Sequence, residues 1–206
     1  MFVEKFINTV FKSNTYIIYS EDKIGAWVVD PGDSKQIIDS LEKNGKNLGG
    51  ILITHSHFDH IYGVNDLCDK FSNVKIFASP DAREGMLSAK INRSYYTDNP
   101  FFVKSGAIII VKDKDIIPIS ERIFAKVIYT PGHSKDCISY EINRYLFTGD
   151  SLIPKIKVYT KSKFGDKIQA KKSIEMIITN FSPNTLICPG HGNICSLNEI
   201  VLEDIL

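Results

Sequence analysis

Residues 54–60 read Thr54-His55-Ser56-His57-Phe58-Asp59-His60, which places three histidines and an aspartate within six residues. In extended backbone, side chains two apart point the same way, so His55 and His57 can reach one metal ion together. Asp59 and His60 fall where the chain turns toward the next helix and can face a neighbouring position. Imidazole and carboxylate donors at this density suit zinc or iron. Just before the cluster, residues 50–54 form an apolar run expected to be a buried strand. Just after it, Ile61, Val64, Leu67, Cys68 and Phe71 mark one helical face.

The chain holds five histidines, and the two outside the cluster share a context: Pro131-Gly132-His133 and Pro189-Gly190-His191, each after an apolar run. A Pro-Gly turn at a strand's end lifts the next side chain out of the sheet edge. Asp150 closes a similar run, Leu146-Phe147-Thr148-Gly149-Asp150. Taken singly, each residue reads as a surface histidine or a turn aspartate. Taken together they leave no histidine outside the pattern. Several strand ends each deliver one ligand-type side chain, as a rigid scaffold presents a site.

Strands and helices alternate through the rest of the chain. Residues 15–19 and 26–29 read as a hairpin with a polar connection over residues 20–25, and Asp30-Pro31-Gly32 turns out of the second strand. Ser34 is placed to cap a helix carrying Ile37, Ile38 and Leu41 and stopped by Gly45. Residues 74–78 read as a strand, and residues 80–104 as a helix followed by a loop over the site or a packed connection. Strands are expected at 107–111, 125–129, 138–142, 145–147 and 185–188, a helix at 166–180, and a short closing helix at 197–206. No segment is rich enough in Gly, Pro or Ser to divide the chain, so residues 1–206 read as a single domain of two similar halves, two sheets face to face with helices outside.

Bulk properties exclude several classes. The 206 residues are 43% apolar and 24% charged, with net charge +1. This is the profile of a globular α/β protein with no global pull toward nucleic acid or an anionic membrane. No apolar run approaches a membrane span, and the first residues carry charges where a secretion signal would be apolar. The four cysteines form no C-x-x-C pair and read as reduced thiols of a cytoplasmic protein.

The motif H-S-H-F-D-H at residues 55–60, with His133, Asp150 and His191 downstream and Asp30 at an early strand end, strongly resembles the metallo-β-lactamase superfamily. The resemblance covers essentially the whole chain. It implies a four-layer αββα sandwich with metals at one edge of two mixed sheets. Carried over, His55, His57 and His133 would hold one divalent ion, and Asp59, His60 and His191 a second. Asp150 would bridge them and Asp30 would orient the ligands. Zinc is the expected metal, with iron or a mixed iron–zinc pair as alternatives. Ser13-Asn14-Thr15-Tyr16, Thr148-Gly149-Asp150 and Asn92-Arg93-Ser94 are similar to the small glyoxalase II-like hydrolases. This implies hydroxide shared by two metals attacking an acyl carbonyl, a hydroxyacyl thioester first, with Asp59 or Asp150 as proton acceptor. The rival readings are a persulfide dioxygenase-like enzyme with one iron and a phosphodiesterase or nuclease of the same superfamily.

Two departures from that family shape the substrate expectation. The chain ends fifteen residues after His191, short of the helical region that helps glyoxalase II bind glutathione, so no particular thiol is expected. After Thr148-Gly149-Asp150 the family's Gly-Arg pair is missing. In its place, residues 155–172 carry seven lysines and one acid, Asp166. Lys155, Lys157, Lys161 and Lys163, with Tyr159, are expected to hold a carboxylate or phosphate of a small anionic acyl substrate. Lys167, Lys171 and Lys172 are expected to face solvent. The oligomeric state is left open.

Overall fold

The computed structural model describes residues 1–20, 25–104 and 107–205. Residues 21–24 of the expected hairpin connection and Leu206 of the closing helix lie outside the described residues. The first sheet takes its six strands in chain order: β1 (Phe2–Ile7), β2 (Asn14–Tyr19), β3 (Ala26–Val29), β4 (Leu48–Leu52), β5 (Lys75–Ala78) and β6 (Ile108–Ile110). It is antiparallel from β1 to β3 and parallel from β3 to β6. The second sheet holds β7 (Ile116–Pro118), β8 (Phe124–Tyr129), β9 (Ile138–Ile142), β10 (Tyr145–Gly149), β11 (Leu186–Pro189) and β12 (Cys195–Ser196) in reverse order. Only its β10–β11 pair is parallel.

Side-chain parity stacks these sheets. All of β2 is buried, yet Ile17 and Tyr19 enter one apolar cluster while Tyr16 and Ile18 enter another. The first cluster also takes Ile37 and Leu41 of α1 (Ser34–Lys43), Val64 and Leu67 of α2 (Val64–Lys70), and Ala82 and Met86 of α3 (Pro80–Met86). The second joins the two sheets, with Trp27, Val29 and Leu52 facing Val127, Tyr140 and Phe147. A third sets Ile174 and Ile177 of α4 (Lys167–Asn180) on Ile128, Leu146 and Ile187, with Ile205 of α5 (Leu202–Ile205). Helix, sheet, sheet and helix make the expected four-layer αββα sandwich.

Local boundaries differ from the sequence reading in several places. β4 covers Leu48–Leu52; Ile53 N still donates to the Phe77 carbonyl at 2.9 Å, and Thr54 lies beyond the strand. Asp33, not Ser34, occupies the cap of α1, and its carboxylate is taken by Thr9 and Tyr62. Residues 58–60 form a 3-10 turn, so α2 starts only at Val64. Residues 80–104 contain α3 and a 3-10 turn, Ser94–Tyr96.

What this architecture does for the site is directional. β3, β4, β8, β10 and β11 all end at the same rim, where open α/β sheets bind ligands beyond their carboxyl ends. Among the described residues no helix is long and apolar enough to cross a membrane.

Candidate metal centre

β4 delivers Thr54 to the rim, and Asp30 at the end of β3 fixes it. Thr54 N donates to Asp30 Oδ1 at 2.8 Å and Thr54 Oγ1 donates to Oδ2 at 2.6 Å. The hydroxyl proton being committed there, Thr54 Oγ1 accepts from His55 Nδ1 at 3.1 Å. That relay leaves His55 Nε2 as the lone-pair nitrogen, and it is buried without a hydrogen-bond partner. Asp30 adopts φ +51°, a left-handed conformation that Asp tolerates better than most residues.

His133 reaches the same place from the second sheet. Its Nδ1 donates to the Tyr159 carbonyl at 2.9 Å, so Nε2 faces inward, 2.9 Å from His57 Nδ1. His55, His57 and His133 form one buried group whose ligand atoms lie within 4.8 Å of one another; Asp59, His60 and His191 form another. Asp150 lies against both. Its Oδ2 is 3.6 Å from His133 Nε2 and 3.6 Å from His191 Nε2, and its Oδ1 is 3.6 Å from His60 Nε2. His60 Nε2 and His191 Nε2 are each 3.4 Å from Asp59 Oδ2. A Cβ on Gly190 would collide with Asp150 Oδ1, so only glycine lets the two strand ends close this tightly. Asp30, His55 and His60 form a third such group. Both Asp30 oxygens are already engaged by Thr54, so its 3.3 Å approach to His60 Nδ1 suits a residue that orients His60.

The electrostatics separate the two groups. Burial, reinforced by the neighbouring imidazoles, holds His55 well below the usual histidine range and His57 at about 3. At His60 burial opposes the charge, but the carboxylates of Asp59, Asp150 and Asp30 together outweigh it and raise the group to about 10. Asp59 is disfavoured as an anion by burial, yet His60 and His191 hold it down at about 2. His191 is raised, because its contact with Asp59 and the charge of Asp150 outweigh burial. His60 Nε2 and Asp150 Oδ1, like His55 Nε2, lack hydrogen-bond partners although buried. Such groups are costly unless something else satisfies them. Nitrogen and oxygen donors converging on unmet lone pairs fit divalent first-row metals.

All seven residues of the sequence-derived ligand set, with Asp30, are thus brought together. The lysine segment divides. Lys157, Tyr159 and Lys161 line a cavity of about 590 Å³ with an apolar floor that includes Val158, Ala170 and Ile174. Lys167 and Lys171 are exposed, as expected, and line its open side too, whereas Lys155 and Lys163 do not. No residue of the metal groups lines that cavity; the segment meets them through the main-chain carbonyl of Tyr159. Sequence reading missed Thr54 as a relay. It also missed Asp136, whose carboxylate accepts from Ser56 and Ser134. No spacing signal marks a residue whose partners come from another sheet. Asn14 belonged to a quoted motif, but its role is new: it donates to the Pro189 and Gly192 carbonyls on both sides of His191.

Comparisons with known proteins agree with this arrangement. The family model of the metallo-beta-lactamase superfamily matches residues 8–191. The chain is 29% identical over 185 residues to the hydroxyacylglutathione hydrolase of Buchnera aphidicola subsp. Schizaphis graminum (strain Sg), covering 89% of this chain and 64% of the relative. It is 36% identical over 149 residues to that of Francisella tularensis subsp. novicida (strain U112), covering 71% and 50%. The chain therefore spans half to two thirds of these curated relatives. Among solved structures, the BLEG-1 B3 metallo-beta-lactamase superposes with TM-score 0.89 at 27% identity, covering 96% of this chain and 95% of that one. With the motif, the sandwich and the rim of ligands all in register, the chain belongs to the metallo-beta-lactamase superfamily.

Proposed function

We propose that this chain is a dinuclear metal-dependent hydrolase of small anionic thioesters. The observation that carries the reading is the three-histidine group and the Asp59–His60–His191 group on either side of Asp150, with inward atoms left unmet by the protein. His55, His57 and His133 would hold one ion and Asp59, His60 and His191 the other, with Asp150 facing both groups and zinc the preferred metal. Two such ions supply a hydroxide nucleophile at neutral pH and Lewis-acid polarisation of the scissile carbonyl. The chain's own part is to orient and to move protons. The Asp30–Thr54–His55 relay and the Tyr159 carbonyl each fix a histidine tautomer. Asp59 or Asp150 would accept the attacking water's proton, and Asp59 is ionised throughout the neutral range.

The hydroxyacylglutathione hydrolases among the relatives support a thioester. The run of cations from Lys155 to Lys163 supports an anionic one, with Lys157, Lys161 and Tyr159, which share a cavity, as the residues proposed to hold it. A substrate panel tests the reaction: hydroxyacyl thioesters are expected to turn over faster than β-lactams, lactones or phosphodiesters. Asp150→Ala is expected to abolish turnover while the fold persists. Dominant phosphodiester cleavage, or an active Asp150→Ala variant, would overturn the reading.

A further inference from the structure

The three-histidine group is assembled across two sheets. His55 and His57 follow β4 of the first sheet, and His133 follows β8 of the second. Their closest approach, 2.9 Å between His57 Nδ1 and His133 Nε2, therefore depends on how the two strand exits are held together. Asp136 sits between them, 3% exposed. Its Oδ2 accepts from Ser56 N at 2.8 Å and from Ser56 Oγ at 2.6 Å. Ser56 is the residue between His55 and His57. Asp136 Oδ1 accepts from Ser134 Oγ, and Ser134 follows His133 directly. The Asp136 carbonyl accepts from Ser79 Oγ at 2.8 Å, and Ser79 caps α3. A buried carboxylate is tolerable only when hydrogen-bonded, and the donors of this one flank all three histidines.

We infer that Asp136 is a positioning residue that clamps the two sheets behind the three-histidine group and sets the affinity of that group, and not the other, for its ion. The inference rests on the two-ion reading above. Partners behind metal ligands are worth roughly 10–100-fold in metal affinity. Asp136→Asn keeps the shape but removes the charge and one of the two acceptor oxygens, so only one of the two serine ties keeps its acceptor.

The test uses zinc-loaded protein titrated with a chromophoric chelator. Asp136→Asn is expected to weaken one of the two ions by roughly 10–100-fold and to leave the other as in wild type. In a His191→Ala background, where the second group is broken, the remaining ion should show the same loss. The control is Tyr140→Phe. That hydroxyl also spans the sheets, donating to the Ile53 and Phe77 carbonyls at 3.0 and 3.1 Å, without touching Ser56 or Ser134. Equal weakening of both ions, no weakening, or the same loss in Tyr140→Phe would make Asp136 a merely structural tie and overturn the inference. Should Asp136→Asn not fold, Ser134→Ala removes one donor and should still weaken the same ion; unchanged affinity would overturn it. Wild-type protein that takes up a single ion refutes the two-ion reading, and the Asp136 comparison then runs on that ion; uptake of none refutes both.

Discussion

His60 carries the sharpest electrostatic consequence. In protein stripped of metal it is raised to about 10, so it is protonated across the neutral range and must lose that proton to become a ligand. His55 and His57 are held neutral and have none to lose. Loading the Asp59–His60–His191 group at pH 7 is therefore expected to release at least one proton, and its affinity should rise with pH until about 10. The sign also bears on folding: a histidine raised above its unfolded value of roughly 6.5 stabilises fully below that pH and loses its contribution as pH climbs through about 10. Calorimetric titration in buffers of different ionisation enthalpy measures the release; buffer-independent heats for both ions would refute it. The residues that converge at the rim were legible in the sequence, since they fall in one dense motif and in recognisable strand-end settings. Thr54 and Asp136 were not, because their roles depend on partners from other strands and on which hydroxyl proton is already committed.

On the function proposed above, the segment after β10 holds the anionic group of the substrate. Changing Lys155, Lys157, Lys161 and Lys163 together to alanine is expected to raise KM for an anionic thioester with kcat retained, as lost uniform binding does. The rise should shrink at high salt, since the Debye length is about 8 Å at physiological ionic strength. Unchanged KM at low salt would reduce the segment to a solvated surface. Behind it, α4 docks through Ile177, fully buried on Ile128, Leu146 and Ile187. Ile177→Ala should cost about 2–5 kcal/mol in denaturant unfolding; a loss under about 1 kcal/mol would mean the helix is loosely held. The long periodic elements α1 and α4 were legible from apolar spacing. β1, β7 and β12 were not: β1 mixes charge with partly exposed apolar residues at a sheet edge, and the other two are three and two residues long. Strands this short gain their identity from the neighbour they pair with.

The molecule as a whole divides its site between two sheets. His55, His57, Asp59 and His60 come from the first, and His133, Asp150 and His191 from the second. Two face-to-face sheets were readable because strands and helices alternate in both halves of the sequence, and the family resemblance implied the four layers, although nothing in the spacing disclosed the six-strand order of either sheet. With donors from both sheets converging on shared Asp150 oxygens, metal content is the most direct measure of whether two ions or one complete the centre. Elemental analysis of the purified active chain, paired with native mass spectrometry, is expected to give close to two first-row metal ions per chain, zinc before iron. A fully active chain that holds a single ion would contradict the dinuclear account.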